Sequence, residues 1–413
     1  MKLYIDPGTG SMLFTILIGV IGAGIYSAKM LLIKLRFKLS GGKVETSNQK
    51  IPFAIFSDDK RYWSIFEPIC RELDARGKDV VYMTASEDDP GLKCDYPHVK
   101  AEYLGKDNRA FTKLNFLNAS VLLSTTPGLE VYQWKRSKDV QYYVHIAHAA
   151  NDITLYRMFG LDYYDAVLLS GDYQIGQIRA LEQKRNLPAK ELLTVGIPYM
   201  DVMQEKQRQA GPAPEHPRTV LLAPSWGPSA ILNVYGGKII DVLLKTGYHV
   251  IIRPHPQSFK SEKELMERLQ KEYPESDQLE WNADTDNFEV LRRSDILISD
   301  FSGVIFDFSL IHDRPIIYTD PQFDVGPYDA WWLEDPLWTL SALPRLGKQL
   351  TQENMENLKD LIDECLTDNT YAEGRRTVKA ETWQHAGEGA KRVADYLIRK
   401  QEELMHAQKT EAK

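Results

Sequence analysis

Residues 51–83, IPFAIFSDDKRYWSIFEPICRELDARGKDVVYM, carry the pattern that decides the fold. Ile51 to Phe56 is a short apolar run bounded by polar residues, the mark of a buried strand. From Arg61 to Arg76 the apolar residues Trp63, Phe66, Ile69, Cys70 and Leu73 recur every three or four positions, which places them on one face of a helix. Gly77 stops that helix, and Val80 to Met83 is the next strand. A strand, a crossover helix and a second strand make one β-α-β unit, and such units imply a parallel sheet covered by helices on both faces.

The same alternation continues outward. Val121–Ser124, Tyr142–Ile146 and Ala166–Ser170 read as strands, and Gln174–Lys184 as a helix. Gly211, Pro212, Pro214 and Pro217 then fall among polar residues, so 206–218 is expected to be a linker. Beyond it, strands are expected at Thr219–Ala223, Val250–Arg253, Asp295–Ser299 and Pro315–Tyr318. Helices are expected at Gly237–Lys245, Ser261–Glu272, Phe288–Arg293 and Gly303–His312. The expected class is therefore α/β, with two Rossmann-like doubly wound domains at 51–205 and 219–380. A charged helical tail follows at 381–413, its helix running from about Glu381 to Gln408. A chain of 413 residues exceeds one ordinary core, which agrees with two domains.

The segment before the first strand has a different solvent. Met12 to Ile33 is almost entirely apolar, with one lysine, Lys29, near its end. Twenty-two residues of helix span about 33 Å, enough for a hydrocarbon core. Lys34, Arg36, Lys38 and Lys43 follow at once, so residues 1–45 read as a membrane anchor with a basic flank and the rest of the chain on the cytoplasmic side. A secretory signal fits less well, because its charge would precede the apolar run. A helix lying in the membrane interface is the competing reading, since Lys29 and the glycines Gly19, Gly22 and Gly24 lower the hydrophobicity.

Composition excludes some classes. The formal net charge of −8 opposes nucleic-acid binding, which needs a basic field. Cys70, Cys94 and Cys365 form no close pair and no metal-ligand spacing. Neither a metal nor a cofactor is expected.

In doubly wound sheets, ligands gather beyond the carboxyl ends of the strands, so the residues just after each strand are the candidates. Arg253-Pro254-His255-Pro256 follows one of them. A planar guanidinium suits phosphate, and the prolines stiffen the segment. Asp300-Phe301-Ser302-Gly303 follows another. Ser302 is expected to cap the next helix, whose free amides, with Gly303 leaving room, would hold a phosphate. Asp307, about one turn on, suits the hydroxyls of a ribose or glycerol. Pro224-Ser225-Trp226-Gly227 adds a hydroxyl at the same sheet edge. In the first domain, His148 stands at a strand end and His145 three residues earlier, with opposite parity on a strand. Taken alone, His148 reads as a structural histidine; histidine is also the usual base for a hydroxyl near neutral pH.

Together these residues resemble the CDP-glycerol:glycerophosphate glycerophosphotransferases, over roughly Tyr142 to Arg392. Arg253-Pro254-His255 is similar to that family's Arg-x-His. Asp300-Phe301-Ser302-Gly303-Val304-Ile305-Phe306-Asp307 is similar to its Asp-Tyr-Ser-Ser-x-x-x-Asp, and Pro224-Ser225-Trp226 to its Pro-Thr-Trp. Gly387 to Arg392 resembles the segment that opens its last helix. The resemblance implies a GT-B fold, with 51–205 as the acceptor domain and 219–380 as the donor domain. It also implies that Pro224, Ser225, Arg253, His255, Ser302, Gly303 and Asp307 hold a cytidine diphosphate. His148 falls on the histidine of the family's Trp-His-Gly-Thr-Pro-Leu-Lys, which implies a catalytic role. Two departures stand out. Ala147 precedes His148 and Ala149-Ala150-Asn151-Asp152-Ile153 follow it, and in Gly196-Ile197-Pro198-Tyr199-Met200-Asp201 the family's arginine is Tyr199.

The expected function is transfer of a glycerol-phosphate, or a similar alditol-phosphate, from a CDP-linked donor to a lipid-linked or membrane-associated acceptor in the synthesis of a cell-envelope polymer. A GT-B glycosyltransferase using a nucleotide sugar, and a non-catalytic membrane-tethered nucleotide-binding scaffold, are the alternatives.

Overall fold

The computed structural model describes residues 50–411 except 107, 157, 285, 320–324, 327–329, 331, 335 and 368. The apolar segment 12–33 lies outside the described residues. Among the described residues, no helix is long and apolar enough to cross a membrane.

Two parallel sheets follow one another along the chain. The first holds β1 (Ile51–Ser57), β2 (Val80–Thr84), β3 (Val99–Tyr103), β4 (Ala119–Ser124), β5 (Val140–Ile146), β6 (Ala166–Leu169) and β7 (Glu191–Thr194), in the order β3-β2-β1-β4-β5-β6-β7. The second holds β8 (Thr219–Leu222), β9 (His249–Ile252), β10 (Leu279–Trp281), β11 (Ile296–Ser299), β12 (Ile316–Thr319) and β13 (Gly347–Leu350), in the order β10-β9-β8-β11-β12-β13. Each order reverses once, between β1 and β4 and between β8 and β11, which is the doubly wound pattern with its crevice at the reversal. The expected α/β class and the two Rossmann-like sheets are both present.

Strand parity builds the core. Phe53 and Ile55 face α1 (Trp63–Ala75), while Ala54 and Phe56 face the layer containing α2 (Tyr173–Arg185). In the second sheet, Val220 and Leu222 pack on one side and Leu221 on the other. All four strand residues of β8 and of β11 are buried, as covering both faces requires.

The halves are also tied outside their sheets. The helix α3 (Pro198–Ala210) runs through the first part of the segment expected to be a linker. Its Met200 and Met203 join the core of the second sheet, because they lie on the face that α3 turns toward it. After β11 come α4 (Val304–Phe306) and a wider π turn over Asp307–Ile311, then α5 (Trp338–Leu346). The expected tail helix is interrupted. One helix, α6 (Ala372–Thr382), ends before Trp383, and the final helix, α7 (Gly389–Glu411), starts anew. Asp201, in the first turn of α3, accepts hydrogen bonds from the Gly387 and Gly389 amides at 2.6 and 2.9 Å and from the Trp383 indole at 2.8 Å. A carboxylate there satisfies amides at the opening of α7. From there α7 returns to the first sheet, where Val393, Tyr396 and Leu397 join the core beside α1.

Close backbone approach marks the crossing. The carbonyl of Ser170 accepts the Gln384 amide at 3.2 Å, and a methyl group at Gly171 would fall inside the Glu381 carbonyl oxygen. Gly171→Ala should therefore destabilise the fold by about 1–3 kcal/mol, as an overpacked contact does. A melting temperature equal to that of the parent would show that this contact does not hold the crossing.

Candidate active site

The carboxyl ends of the two sheets open onto one cleft of about 870 Å³. That is ample for a nucleotide-sized ligand. One wall is the turn Lys60–Tyr62 after β1, the start of α1 and the segment His148–Asp152 after β5. The other is Ala223–Trp226 after β8, Arg253–Pro256 after β9 and Phe301–Asp307 after β11. His148, Pro224, Ser225, Arg253, His255, Ser302, Gly303 and Asp307 all line it. His145 does not. It is fully buried between the rings of Tyr156 and Tyr164, neither of its nitrogens has a hydrogen-bond partner among the described residues, and burial lowers its pKa to about 3.

On the second-sheet wall the donors are pre-set. Arg253 spends two of its N–H groups on the Asn282 side chain and, at 2.8 Å, on the Asp284 carbonyl, which fixes the plane of the guanidinium. The Gln257 amide donates to His255 Nδ1 at 3.1 Å. Since an amide can only donate, Nδ1 must be bare, and the neutral ring carries its proton on Nε2. Burial, aided by the charge of Arg61, lowers the His255 pKa to about 4, so the ring is neutral at pH 7. Asp300 is fully buried and accepts the amides of Ser225, Ile231 and Phe301 at 2.7–3.1 Å. It welds the loops after β8 and β11 into one unit.

Ser302 departs from its expected capping role. The helix opens one residue later, Gly303 takes the flanking position, and no side chain caps it. With Asp300 turned back into the core, the amides of Ser302 and Gly303 have no hydrogen-bond partner among the described residues. Gly303 has an ordinary φ of −57°, and a Cβ there would meet nothing within 4 Å, so the glycine keeps space open at the cleft. Asp307 ends a relay: the Tyr199 hydroxyl donates to Asn287 at 3.0 Å, and the Asn287 amide donates to Asp307 at 3.1 Å. Among the described residues no cation pairs with Asp307, and burial raises its pKa to about 7.

On the first-sheet wall, His148 is half-buried with its Nδ1 3.0 Å from Thr125 Oγ1 and 3.3 Å from the Tyr156 hydroxyl; the Tyr62 ring lies 5.2 Å away. Burial, then the charge of Arg61, lowers its pKa to about 4. Four residues on, Asp152 accepts the amides of Trp338 and Thr339, each at 2.8 Å, and so caps α5 from across the chain. Trp338 stacks on Tyr173 at 4.3 Å and on Phe306 at 5.2 Å.

Sequence reading missed Arg61, Tyr62 and Thr125, although all three follow strands β1 and β4 and the strand-end rule reaches them. Tyr199 and Asn287 carry no such signal. Among the described residues, no cluster of three His, Cys, Asp or Glu side chains could hold a metal ion.

Fold and cleft define a GT-B-like transferase architecture, two parallel-sheet Rossmann-like units around one site. Residues 100–399 match the family model described as CDP-glycerol:poly(glycerophosphate) glycerophosphotransferase, and the chain belongs to that family. It is thus a CDP-glycerol glycerophosphotransferase-like transferase. No curated protein sequence matches it. Among solved structures, a variant of the wall teichoic acid polymerase TagF soaked with CDPG is similar at 17% identity and a TM-score of 0.57, covering 94% of this chain and 99% of that one. The UDP-GlcNAc 2-epimerase of Methanocaldococcus jannaschii, in complex with UDP-GlcNAc and UDP, is similar at 12% identity and 0.54, covering 84% and 99%. A putative UDP-N-acetylglucosamine 2-epimerase of Listeria monocytogenes gives 12% and 0.53, covering 84% and 95%. At these identities the structural likeness is one of fold.

The raised pKa of Asp307 has a consequence for stability. Its carboxyl holds its proton in the folded chain up to about pH 7 but releases it near the usual 3.8 when unfolded. The folded state therefore binds more protons between those values, and Asp307 lowers stability as pH rises through that window. Asp307→Asn should match the parent's melting temperature at pH 4 and exceed it at pH 8. Equal melting temperatures at both would mean that the carboxyl is not held neutral.

Proposed function

We propose that the second-sheet wall binds CDP-glycerol or a related CDP-alditol and that His148, on the opposite wall, acts as general base on an acceptor hydroxyl. The observation that carries this reading is the convergence of two kinds of group on one cleft. One wall offers a neutral imidazole; the other offers donors that suit a diphosphate: Arg253, the Nε2–H of His255 and the open amides at Ser302 and Gly303. Pro224 and Ser225 border the same wall, and Ser225 Oγ has no hydrogen-bond partner among the described residues. Asp307 would take hydroxyls of the ribose or of glycerol.

In the reaction, the acceptor oxygen attacks the β-phosphorus as its proton passes to His148. The P–O bond to CMP breaks, and the guanidinium and amides balance the charge that moves onto the leaving phosphate. Positioning and electrostatics supply the rate. The polymer family points to a lipid-linked or membrane-associated acceptor, and the apolar segment 12–33 with its basic flank supports an anchor that keeps 51–413 at the cytoplasmic face.

Two measurements test this. The full chain in detergent, given CDP-glycerol and a panel of nucleotide sugars with acceptor, should release CMP from the first alone; release of a nucleoside diphosphate from a sugar donor would favour a glycosyltransferase, and no release at all a scaffold. His148→Ala should lower turnover by about 10²–10⁴-fold and leave CDP affinity nearly unchanged. For the anchor, a cysteine in Ser11→Cys should be labelled from outside the cell and one in Ser47→Cys should not, and the reverse pattern would reject the orientation.

A further inference from the structure

We infer that Thr125 is the positioning residue that sets the tautomer of His148, holding the proton on Nδ1 and leaving Nε2 bare toward the cleft. The inference deepens the reading of His148 as a base and rests on it.

Thr125 is the first residue after β4, in the strand pair that β4 and β5 form, and it is 1% exposed. Its Oγ1 lies 3.0 Å from the Ile146 carbonyl oxygen and 3.0 Å from His148 Nδ1. A carbonyl can only accept, and a hydroxyl has one proton, so a hydroxyl donating to Ile146 has none left for Nδ1. With that proton on Ile146, the same oxygen accepts from His148 and Nδ1 is the donor. A neutral imidazole carries one N–H, which leaves the Nε2 lone pair free. Among the described residues Nε2 has no hydrogen-bond partner, and His148 lines the cleft. The Tyr156 hydroxyl, 3.3 Å from Nδ1, is a second and longer neighbour with a rotatable proton of its own. The Tyr62 ring covers the imidazole from the side of α1.

The two cleft histidines are thereby set oppositely. The Gln257 amide makes His255 a donor at Nε2, while Thr125 makes His148 an acceptor there. Those are the states that phosphate binding and proton abstraction need. Thr125 is neutral, so it orients the ring without trapping the proton as an ion pair with a carboxylate. The acceptor O–H bond breaks and its proton joins Nε2. The oxygen bonds to the β-phosphorus, CMP leaves with the electron pair of the broken P–O bond, and the imidazolium returns its proton to water.

The test uses the full chain in detergent. With histidine labelled with nitrogen-15, and His148→Gln to assign the signal, the parent should show His148 protonated at Nδ1 and bare at Nε2. Thr125→Val, which removes the hydroxyl at nearly constant shape, should mix the tautomers and lower kcat on the order of 10²-fold with the CDP-glycerol KM little changed. Thr125→Ser should restore both, and Tyr156→Phe should keep the parent pattern. A parent ring protonated at Nε2 overturns the inference without any variant having to fold. So does an unchanged kcat and pH profile in folded Thr125→Val. Normal turnover in His148→Gln would instead overturn the reading of His148 as base.

Discussion

A strand that runs parallel to its neighbour must start from the same end, so the chain crosses back over a face of the sheet after every strand. Both sheets here are parallel throughout, and each reverses its order once. That constraint sends every loop that follows a strand to one edge, and it parts the crossovers on either side of the reversal, where a crevice must open. The site is assembled from this alone. Loops after β1, β4 and β5 deliver Arg61, Thr125 and His148. Loops after β8, β9 and β11 deliver Ser225, the pair Arg253 and His255, and the Ser302–Gly303 turn. The remaining task is to hold one edge against the other. Asp152 capping α5, Trp338 between Tyr173 and Phe306, and the return of α7 to the first sheet do so.

The cleft is cationic in its parts but not free in them. Arg61 is paired with Asp59 at 2.9 Å and Lys206 with Asp286 at 2.9 Å, while Arg253 is held by Asn282 and the Asp284 carbonyl. The guanidinium of Arg253 is thus oriented before any ligand arrives, which lowers the ordering cost of binding. The histidines follow the opposite logic. Burial and the charge of Arg61 hold both neutral, and the Gln257 amide, which can only donate, places the His255 proton on Nε2. A diphosphate entering between them would oppose Arg61 and raise both pKa values. On the proposed reading, His148 would gain proton affinity when the donor is bound.

The limits of sequence reading have a physical pattern here. The interior strands were legible because burial on both faces demands unbroken apolar runs. The four that escaped are β3, β7, β10 and β13, and these are the edge strands of their sheets. An edge strand has one neighbour and a partly solvated flank. Val99–Tyr103 alternates with Lys100 and Glu102, and Glu191–Thr194 is only half-buried along its length. The wall residues were legible for a different reason: the fold class says where along each strand to look. What could not be read were partners. Nothing near Thr125 in sequence announces a histidine 23 positions on, nor does Tyr199 announce Asn287 and Asp307. Such pairs exist only once the sheets are wound. The Ser302 cap failed because a serine before a helix can cap only if the backbone leaves it at the flanking position, and here Gly303 holds that place.

The two departures from the related pattern acquire reasons from the same geometry. Where the family motif continues past its histidine with Gly-Thr-Pro-Leu-Lys, this chain runs through Ala149 and Ala150, both small, to Asp152. Ala150 packs in the second-sheet core and Asp152 holds α5, so the altered loop serves as a clip between the halves as well as a wall of the site. Tyr199 replaces the motif's arginine. An arginine within reach of Asp307 would keep that carboxyl ionised. The Tyr199–Asn287 relay reaches it with a neutral amide instead, and one hydrogen bond does not offset the cost of burying a charge. The carboxyl is left near neutrality, able to donate as well as accept. On the proposed reading, a neutral Asp307 would also spare an anionic donor a like charge at close range. Tyr199 in place of the motif's arginine therefore changes the electrostatics of the second-sheet wall.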